Sequence, residues 1–279
     1  MFDVSPITGT LGAEIAGIDL SAPLGAAEAA ALRAALWAHQ VIVCRDQHLD
    51  IAAQKRLTAV FGPITRLPYV EPMADDADVI AVLKEADETN VGVFGGDWHS
   101  DFSFLERPPA GSVLNAVEVP AYGGDTVWAN MIAAYAALPA DLRSAVDGRD
   151  AIHVGAPYGA KYAPPEADRA GRSIRMTRGD PAADREVRHP AVRTHPESGR
   201  QALFVNPIYT TRLDGMTEAE SAPILNAIYK HCVRPEFCCR LRWTPGTVVV
   251  WDNRTTMHYA VNDYDGTRRL LYRTTFGDD

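Results

Sequence analysis

Two residues with metal-binding side chains, His99 and Asp101, lie one residue apart in the segment 95–101. Side chains two residues apart in an extended segment project to the same side, so both can reach one ion. A distant histidine, His258, completes the set if a second strand brings it alongside. Two histidines and one carboxylate can bind a non-haem iron(II) ion and leave positions open for substrate and oxygen. We therefore predict that His99, Asp101 and His258 bind a metal.

Two arginines follow His258 on a predicted strand, where they could bind anions. Alternation along 269–276 places Arg269 and Arg273 on the same face as Leu271. Arginines on an apolar face are costly to bury unless anions pair with them. Carboxylates of neighbouring strands could be those anions, or bound ligands could, since the arginine fork matches a carboxylate bidentately. Beside a metal triad we favour ligands: a dicarboxylate cosubstrate for one arginine and an acidic substrate for the other.

The order of these residues resembles a known family of enzymes. His99-x-Asp101, the distant His258, and Arg269 eleven residues beyond it are similar to the iron(II)- and 2-oxoglutarate-dependent dioxygenases of the taurine dioxygenase family. That family also includes phenoxyalkanoate and alkylsulfate dioxygenases. The similarity runs along nearly the whole chain, and it includes the segments 6–15, 98–101, 108–110, 123–126, 189–196, 203–206 and 251–273.

The resemblance implies a role for each residue and a reaction. The three predicted metal ligands match the iron ligands of the family, and no catalytic residue is predicted beyond them. Thr126 and Arg269 match the pair that binds the distal carboxylate of 2-oxoglutarate, and Arg273 matches the residue that binds the acidic group of the substrate. The implied enzyme uses Fe(II), 2-oxoglutarate and O2 to hydroxylate a small anionic organic substrate of the sulfonate, alkyl sulfate or aryloxyalkanoate type. Succinate and CO2 are the other products.

Two positions depart from the taurine-specific members of that family. On an ungapped alignment, Leu67 and Gly95 replace a histidine and an asparagine that help to hold the small sulfonate there. Both changes remove polar groups, so we predict that Leu67 and Gly95 belong to a pocket for a larger or more apolar substrate than taurine. The stretches 84–89 and 209–221 look closer to the members that cleave aryloxyalkanoates.

Composition is that of a single globular domain over residues 1–279, with 47% hydrophobic residues and a net charge of −9. This charge disfavours nucleic acid and anionic membranes as partners, and it requires that an anionic substrate be attracted locally. No apolar run approaches the roughly 20 residues of a membrane span, and no leader pattern is apparent, so we expect a cytoplasmic protein. The resemblance implies a homo-oligomer, a dimer or a tetramer.

The elements that must position the site are mostly short strands, with helices clustered in the first half. Asp50 and the pattern Thr217-x-x-Glu220 are typical of helix N-termini, and they predict helices at 51–61 and from 218 to about 232. We predict a mainly β fold with flanking helices, a double-stranded β-helix (jelly-roll) barrel. Further elements are predicted as a helix at 26–39, a helix capped by Asn130, and strands at 41–44, 78–83, 112–119, 151–154, 202–206, 236–243, 247–251 and 269–276.

The segment 156–188 separates two strand-rich blocks and contains few apolar residues. Long segments of this kind in a compact domain are commonly functional, so we predict a lid over the active site or an insertion.

Two other classes of function remain open from the residues alone. A zinc-dependent hydrolase could use the same three ligands, because zinc also accepts three protein ligands and a water. Thr126 and Arg269 argue against it, since hydrolysis needs no dicarboxylate anchor, and the chain has no His-Glu-x-x-His motif. A non-catalytic barrel that binds a small anion would not need an intact metal triad.

Overall fold

The structure, a computed structural model, describes residues 2–161 and 171–278. Part of the predicted lid, residues 162–170, lies outside this description. The α-helices are α1 Ala26–His39, α2 Ile51–Phe61, α3 Met131–Ala136, α4 Ala140–Val146 and α5 Glu218–Cys232. The strands are β1 Asp3–Pro6, β2 Ala13–Ala16, β3 Val41–Cys44, β4 Ile80–Lys84, β5 Gly111–Glu118, β6 Thr126–Asn130, β7 Asp150–His153, β8 Val187–Pro190, β9 Val192–Thr194, β10 Gln201–Leu203, β11 Thr210–Leu213, β12 Cys238–Leu241, β13 Val248–Asp252, β14 Thr256–Ala260 and β15 Arg269–Phe276.

A seven-stranded sheet in the order β1-β2-β3-β13-β5-β15-β4 faces a three-stranded sheet in the order β12-β6-β14. Alternation along β13 divides its side chains between two cores. Val248 and Val250 pack with α1 and α2 on one face of the large sheet. Val249 and Trp251 pack on the other face, with Trp128 of the small sheet. The fold is therefore mainly β, with helices covering the outer face of the large sheet.

The same alternation aims the functional residues into the space between the two sheets. Leu271 of β15 belongs to the core between the sheets, so Arg269 and Arg273, two residues to either side, project there too. On the small sheet, His258 of β14 is paired with Trp128 of β6, and Ala260 with Thr126. Paired residues of antiparallel strands share a face, so His258 and Thr126 also face the space between the sheets.

Helix starts follow the predicted caps. The side chain of Asp50 accepts a hydrogen bond from the N–H of Ala53 at the start of α2. Thr217 and Glu220 form a capping box at the start of α5. Asn130 accepts from two backbone N–H groups at the start of α3. Because caps act over three or four residues, sequence alone locates them well.

Two predicted strands are shorter than expected, and several strands were not predicted. The strand expected at 202–206 ends at Leu203, because the side chain of Asn206 accepts hydrogen bonds from the N–H groups of Ile208 and Tyr209 and turns the chain. The strand expected at 236–243 begins as a 3-10 turn, Pro235–Phe237, and only Cys238–Leu241 is extended. Strand β6, which carries Thr126, was missed.

Candidate metal site and adjoining cavities

The three predicted metal ligands meet in the structure. His99 and His258 form an antiparallel bridge in which each backbone N–H donates to the carbonyl of the other, at 3.0 and 2.7 Å. The Nε2 atoms of His99 and His258 lie 3.5 and 3.8 Å from Oδ1 of Asp101. One ligand atom from each of the three residues lies within 4.8 Å of the others, and all three side chains are buried. This donor set and spacing fit a divalent metal ion.

The histidines are prepared to ligate through Nε2. Nδ1 of His99 donates to the carbonyl oxygen of Asp97 at 2.6 Å, which leaves the Nε2 lone pair facing Asp101. Burial, together with the neighbouring His99, lowers the pKa of His258 to about 3. His258 is therefore suited to act as a neutral ligand, since a protonated ring cannot bind a metal.

Asp101 is held by a turn, and not by the extended segment that we expected. The chain turns at Asp101, and the next residue, Phe102, has a left-handed φ of 46°. Asn253 fixes this turn, because its Oδ1 accepts from the N–H of Asp101 at 2.6 Å and its Nδ2 donates to the Asp101 carbonyl at 2.9 Å. Strand alternation therefore explains the position of His99 but not that of Asp101. The sequence did not reveal the role of Asn253.

Arg273 is paired by the protein itself. Its Nη1 and Nη2 donate to the two carboxylate oxygens of Asp101 at 3.2 and 2.6 Å, and Nη2 also donates to Oγ of Ser112 at 2.9 Å. Burial alone would raise the pKa of Asp101, but Arg273 and the two histidines outweigh it and lower that pKa well below its usual range. The anion that pairs Arg273 in the structure is thus a side chain of the metal triad.

Arg269 has no such partner. It is 4% exposed, its Nε has no hydrogen-bond partner, and no carboxylate of the described residues lies within ion-pair distance. The rings of Trp243 and Tyr264 flank its guanidinium at 5.8 Å. Burial lowers the pKa of Arg269. A buried and unpaired guanidinium is costly, so this site fits an anion that arrives as a ligand.

Two cavities adjoin the triad. The inner cavity, about 40 Å³, lies between the sheets and is lined by residues that include His99, His258, Thr126, Arg269 and Arg273. Oγ1 of Thr126 accepts from Nε1 of Trp243 at 3.0 Å, so its own hydroxyl hydrogen remains available to an anion beside Arg269. The inner cavity therefore presents a cation and a hydroxyl donor next to the metal ligands, as an acidic chelator requires.

The outer cavity, about 140 Å³, also adjoins His99. Its lining is largely apolar and aromatic around the metal ligands His99 and Asp101, with arginines from the segment 156–188. The residues that line it include Phe94, Gly95, Phe102, Tyr158, Arg172, Met176, Arg178, Ile208 and Tyr209. Described parts of the predicted lid thus face the metal site.

Two buried tyrosines of the outer cavity were missed by the sequence analysis. Burial raises the pKa of Tyr158 to about 12 and that of Tyr209 well above its usual value. Both hydroxyls therefore stay protonated near neutral pH and can donate hydrogen bonds. The only signal in the sequence was their position, because Tyr158 lies in the segment 156–188 and Tyr209 in the stretch 209–221. Neither tyrosine has a partner residue at a recognisable spacing.

The predicted substrate positions are divided between cavities. Gly95 lines both the inner and the outer cavity and has a φ of +77°. A Cβ added there would lie 3.1 Å from Cε1 of His99, so the glycine allows the loop to approach that ring. Leu67 lies instead in a separate cavity of about 230 Å³, which Arg273 and Thr275 also line. Leu67 does not line the outer cavity.

Comparisons with known proteins cover nearly the whole chain. The model of the family described as "Taurine catabolism dioxygenase TauD, TfdA family" matches residues 3–275. An "Alpha-ketoglutarate-dependent sulfate ester dioxygenase" of Pseudomonas putida is 38% identical over 99% of this chain and 90% of its own length. An "Alkylsulfatase" of Acinetobacter baylyi is 34% identical over 98% of this chain and 84% of its own length.

Other similar proteins carry other names. An "Alpha-ketoglutarate-dependent 2,4-dichlorophenoxyacetate dioxygenase" of Cupriavidus pinatubonensis is 33% identical, over 99% of this chain and 97% of its own. The solved structure of a "Taurine Dioxygenase from Burkholderia xenovorans" has a TM-score of 0.82 and 33% identity, covering 100% of this chain and 91% of that one. Among the described residues of the present chain, no helix is long and apolar enough to cross a membrane.

Proposed function

The chain belongs to the taurine catabolism dioxygenase TauD, TfdA family and is a 2-oxoglutarate-dependent dioxygenase that uses Fe(II) and O2 and acts on an anionic organic substrate; on this premise we propose that the substrate is an organic sulfate ester with an apolar body. Two relatives with high identity, at 38% and 34%, are named for sulfate esters or alkyl sulfates. The observation that carries the proposal is the outer cavity, which combines an apolar lining with arginines beside the metal triad. The aryloxyalkanoate class, which parts of the sequence favoured, becomes the second candidate.

We propose that His99, Asp101 and His258 hold the Fe(II). Bound Fe(II) would supply the activation of O2 that is coupled to the decarboxylation of 2-oxoglutarate to succinate and CO2. One oxygen atom enters succinate and the other enters the C–H bond beside the ester oxygen of the substrate. The new hydroxyl group of the ester would then release its proton as the C–O bond to sulfate breaks, which leaves an aldehyde and inorganic sulfate.

We propose that Arg269 and Thr126 bind the distal carboxylate of 2-oxoglutarate in the inner cavity. The support is that Arg269 is buried without a carboxylate partner among the described residues, while the hydroxyl of Thr126 retains a donor hydrogen nearby. A charge-assisted bidentate contact would satisfy the guanidinium. Neither a zinc hydrolase nor a non-catalytic barrel needs this dicarboxylate anchor, and the family membership agrees with neither alternative.

Arg273, Gly95 and Leu67 remain the proposed substrate-binding positions, with a limited role for Arg273. A guanidinium has five N–H groups, and contacts with Asp101, Ser112 and Thr275 engage four of those of Arg273. One N–H is left for a substrate. We propose that Arg273 mainly positions Asp101 and offers a single hydrogen bond to the substrate anion. Gly95 leaves room for the substrate beside His99, and Leu67 supports that pocket from behind Arg273.

We also propose an architecture, a domain organisation and an assembly state for the protein. The two facing sheets, with seven and three strands, would be the walls of a jelly-roll barrel. Residues 1–279 would form a single domain, and the described parts of the segment 156–188, residues 156–161 and 171–188, would cover the outer cavity as a lid. We further propose a homo-oligomer in the cytoplasm.

The test compares succinate formation with hexyl sulfate, phenoxyacetate and taurine, in the presence of Fe(II), 2-oxoglutarate and O2. We expect hexyl sulfate to give the highest kcat/KM, with one hexanal and one sulfate released per succinate. His99→Ala should abolish the stimulation and serves as the control for metal-dependent turnover. Stimulation by phenoxyacetate or taurine alone would overturn the choice of a sulfate ester.

A further inference from the structure

Arg172 lies at the outer cavity, and it forms no ion pair with the residues that the structure describes. It lines that cavity together with His99 and Asp101. Its Nε is buried and has no hydrogen-bond partner, and no carboxylate of the described residues lies within ion-pair distance. Buried donors are satisfied in nearly all proteins, and an unmet one near a cavity indicates a missing partner. For a guanidinium that partner is an anion.

Arg269 lies at the inner cavity, where we assign it to 2-oxoglutarate, and two further arginines near the metal triad are already engaged. Arg273 is committed to Asp101 and Ser112. Arg178, which also lines the outer cavity, donates from Nη1 to the carbonyl of Pro157 at 2.8 Å. Because it has no partner among the described residues, the guanidinium of Arg172 can donate several hydrogen bonds to a ligand, whereas that of Arg273 can donate one.

The surroundings of Arg172 favour an anion attached to an apolar body. Phe94, Met176 and Ile208 line the same cavity. Gly92 leaves room for the guanidinium, because a Cβ added to Gly92 would lie 3.0 Å from Nη2 of Arg172. The carboxylates that line the cavity are Asp97, which is exposed, and Asp101, which Arg273 and the metal would neutralise.

We propose that Arg172 binds the anionic head group of the primary substrate and sets the preference of the enzyme for anions with an apolar body. This inference rests on the proposed function, since it assumes that the substrate occupies the outer cavity. Arg172 also borders a narrow cleft that reaches Arg269 and Tyr264. Binding of 2-oxoglutarate by Arg172 is therefore the competing assignment, and the experiment separates the two.

The experiment measures KM and kcat for hexyl sulfate and for phenoxyacetate, and KM for 2-oxoglutarate, in wild type and in Arg172→Gln. We expect KM for either anion to rise about 30-fold, as for the loss of a charge-assisted hydrogen bond, while kcat and the KM for 2-oxoglutarate stay within about twofold. Arg172→Lys should recover part of the affinity. Arg175→Gln is the matched control, because Arg175 is exposed and does not line the cavity.

Two further measurements keep the proposal independent of turnover. Calorimetric titration of hexyl sulfate into protein loaded with Mn(II) and 2-oxoglutarate, without oxygen, should show the same loss of affinity in Arg172→Gln. Gly92→Ala keeps the charge but displaces the guanidinium, so it should weaken hexyl sulfate by a smaller factor.

The outcomes distinguish the two proposals. If wild type uses hexyl sulfate and Arg172→Gln keeps its KM, the role of Arg172 is wrong and the proposed function stands. If wild type accepts only phenoxyacetate and still depends on Arg172, the choice of a sulfate ester is wrong and Arg172 keeps its role. A rise in the KM for 2-oxoglutarate alone would assign Arg172 to the cosubstrate, and binding of neither anion would overturn both proposals.

Discussion

Arg269 and Arg273 lie on the same face of β15, four residues apart, and both are almost completely buried, yet their surroundings differ. Arg273 faces a carboxylate that the chain supplies, in Asp101. Arg269 faces two aromatic rings and a cavity. The comparison shows that two buried arginines of one site can have different roles. An internal partner indicates a positioning role, and the lack of one beside a cavity indicates a ligand.

The largest expected effect comes from removing the paired arginine. Arg273→Met leaves the buried carboxylate of Asp101 without its cation, which typically costs about 3–5 kcal/mol of stability. The measurement is the free energy of unfolding of the metal-free protein by denaturant. The same variant should bind Fe(II) less tightly below neutral pH, because the pKa of Asp101 rises when Arg273 is lost. An unchanged free energy of unfolding would show that the contact with Asp101 contributes nothing.

Removing the unpaired arginine should act on the ligand instead. Arg269→Met is expected to raise the KM for 2-oxoglutarate about 30-fold or more, through the loss of charge-assisted hydrogen bonds. The free energy of unfolding of the ligand-free protein should not fall, because no internal ion pair is broken. The comparison is supported if Arg273→Met mainly lowers the free energy of unfolding and Arg269→Met mainly raises the KM for 2-oxoglutarate. Loss of stability in both would contradict it.

Gly95 tests how closely the loop must approach the metal ligand. Gly95→Ala places a Cβ 3.1 Å from Cε1 of His99, at a φ of +77°. Gly148→Ala is the control, because Gly148 has a φ of +67° but no atom within 4 Å of an added Cβ. Both should lose about 1 kcal/mol of stability from the left-handed backbone. Only Gly95→Ala should also weaken Fe(II) binding, measured by competition with a chelator.

His153 extends the comparison to a buried group that is only partly hydrogen-bonded, because its Nδ1 contacts the hydroxyl of Ser103 at 3.0 Å. Its Nε2 is buried without a hydrogen-bond partner, and burial lowers its pKa to about 3. The unfolded chain takes up this proton near pH 6.5 and the folded chain only near pH 3. Stability is therefore full above pH 6.5 and falls as the pH drops below it, by up to about 1.4 kcal/mol per unit from this residue.

The matched variant for this effect is His153→Gln, which cannot be protonated. Its free energy of unfolding should decline less than that of wild type between pH 7.5 and 5.5. Equal declines would mean that other histidines account for the acid sensitivity. Burial also lowers the pKa of His189, so this residue is the first of these to examine.

The features that the sequence predicted well depend on local rules or on regular alternation. The cap residues Asp50 and Thr217 act on N–H groups three residues away, and both helices begin where expected. Alternation along β15 was enough to put Arg269 and Arg273 on one face. The meeting of His99 with His258 was predicted because both residue types and the family order indicated it.

The features that were missed depend on contacts between distant residues. Asn253 holds the turn at Asp101 across 152 positions of sequence, and nothing near either residue signals this. The pairing of Arg273 with Asp101 likewise arises only when β15 lies beside the loop. Arg172 lies in the segment 156–188, which the sequence predicted to be a lid or an insertion, but no single residue of that segment was singled out. Its importance depends on a cavity that the fold creates.

The backbone bridge between His99 and His258 also bears on how the protein gains and loses its metal. Two reciprocal hydrogen bonds join backbone groups that do not ligate the ion, so we expect them to hold these residues in place in the apoprotein as well. Because the two histidines are already positioned, we expect the chain to fold without the binding energy of the metal. A chelator should therefore strip the ion and leave a native apoprotein that fresh Fe(II) reactivates without refolding. An enzyme built in this way can survive repeated loss of its iron by oxidation.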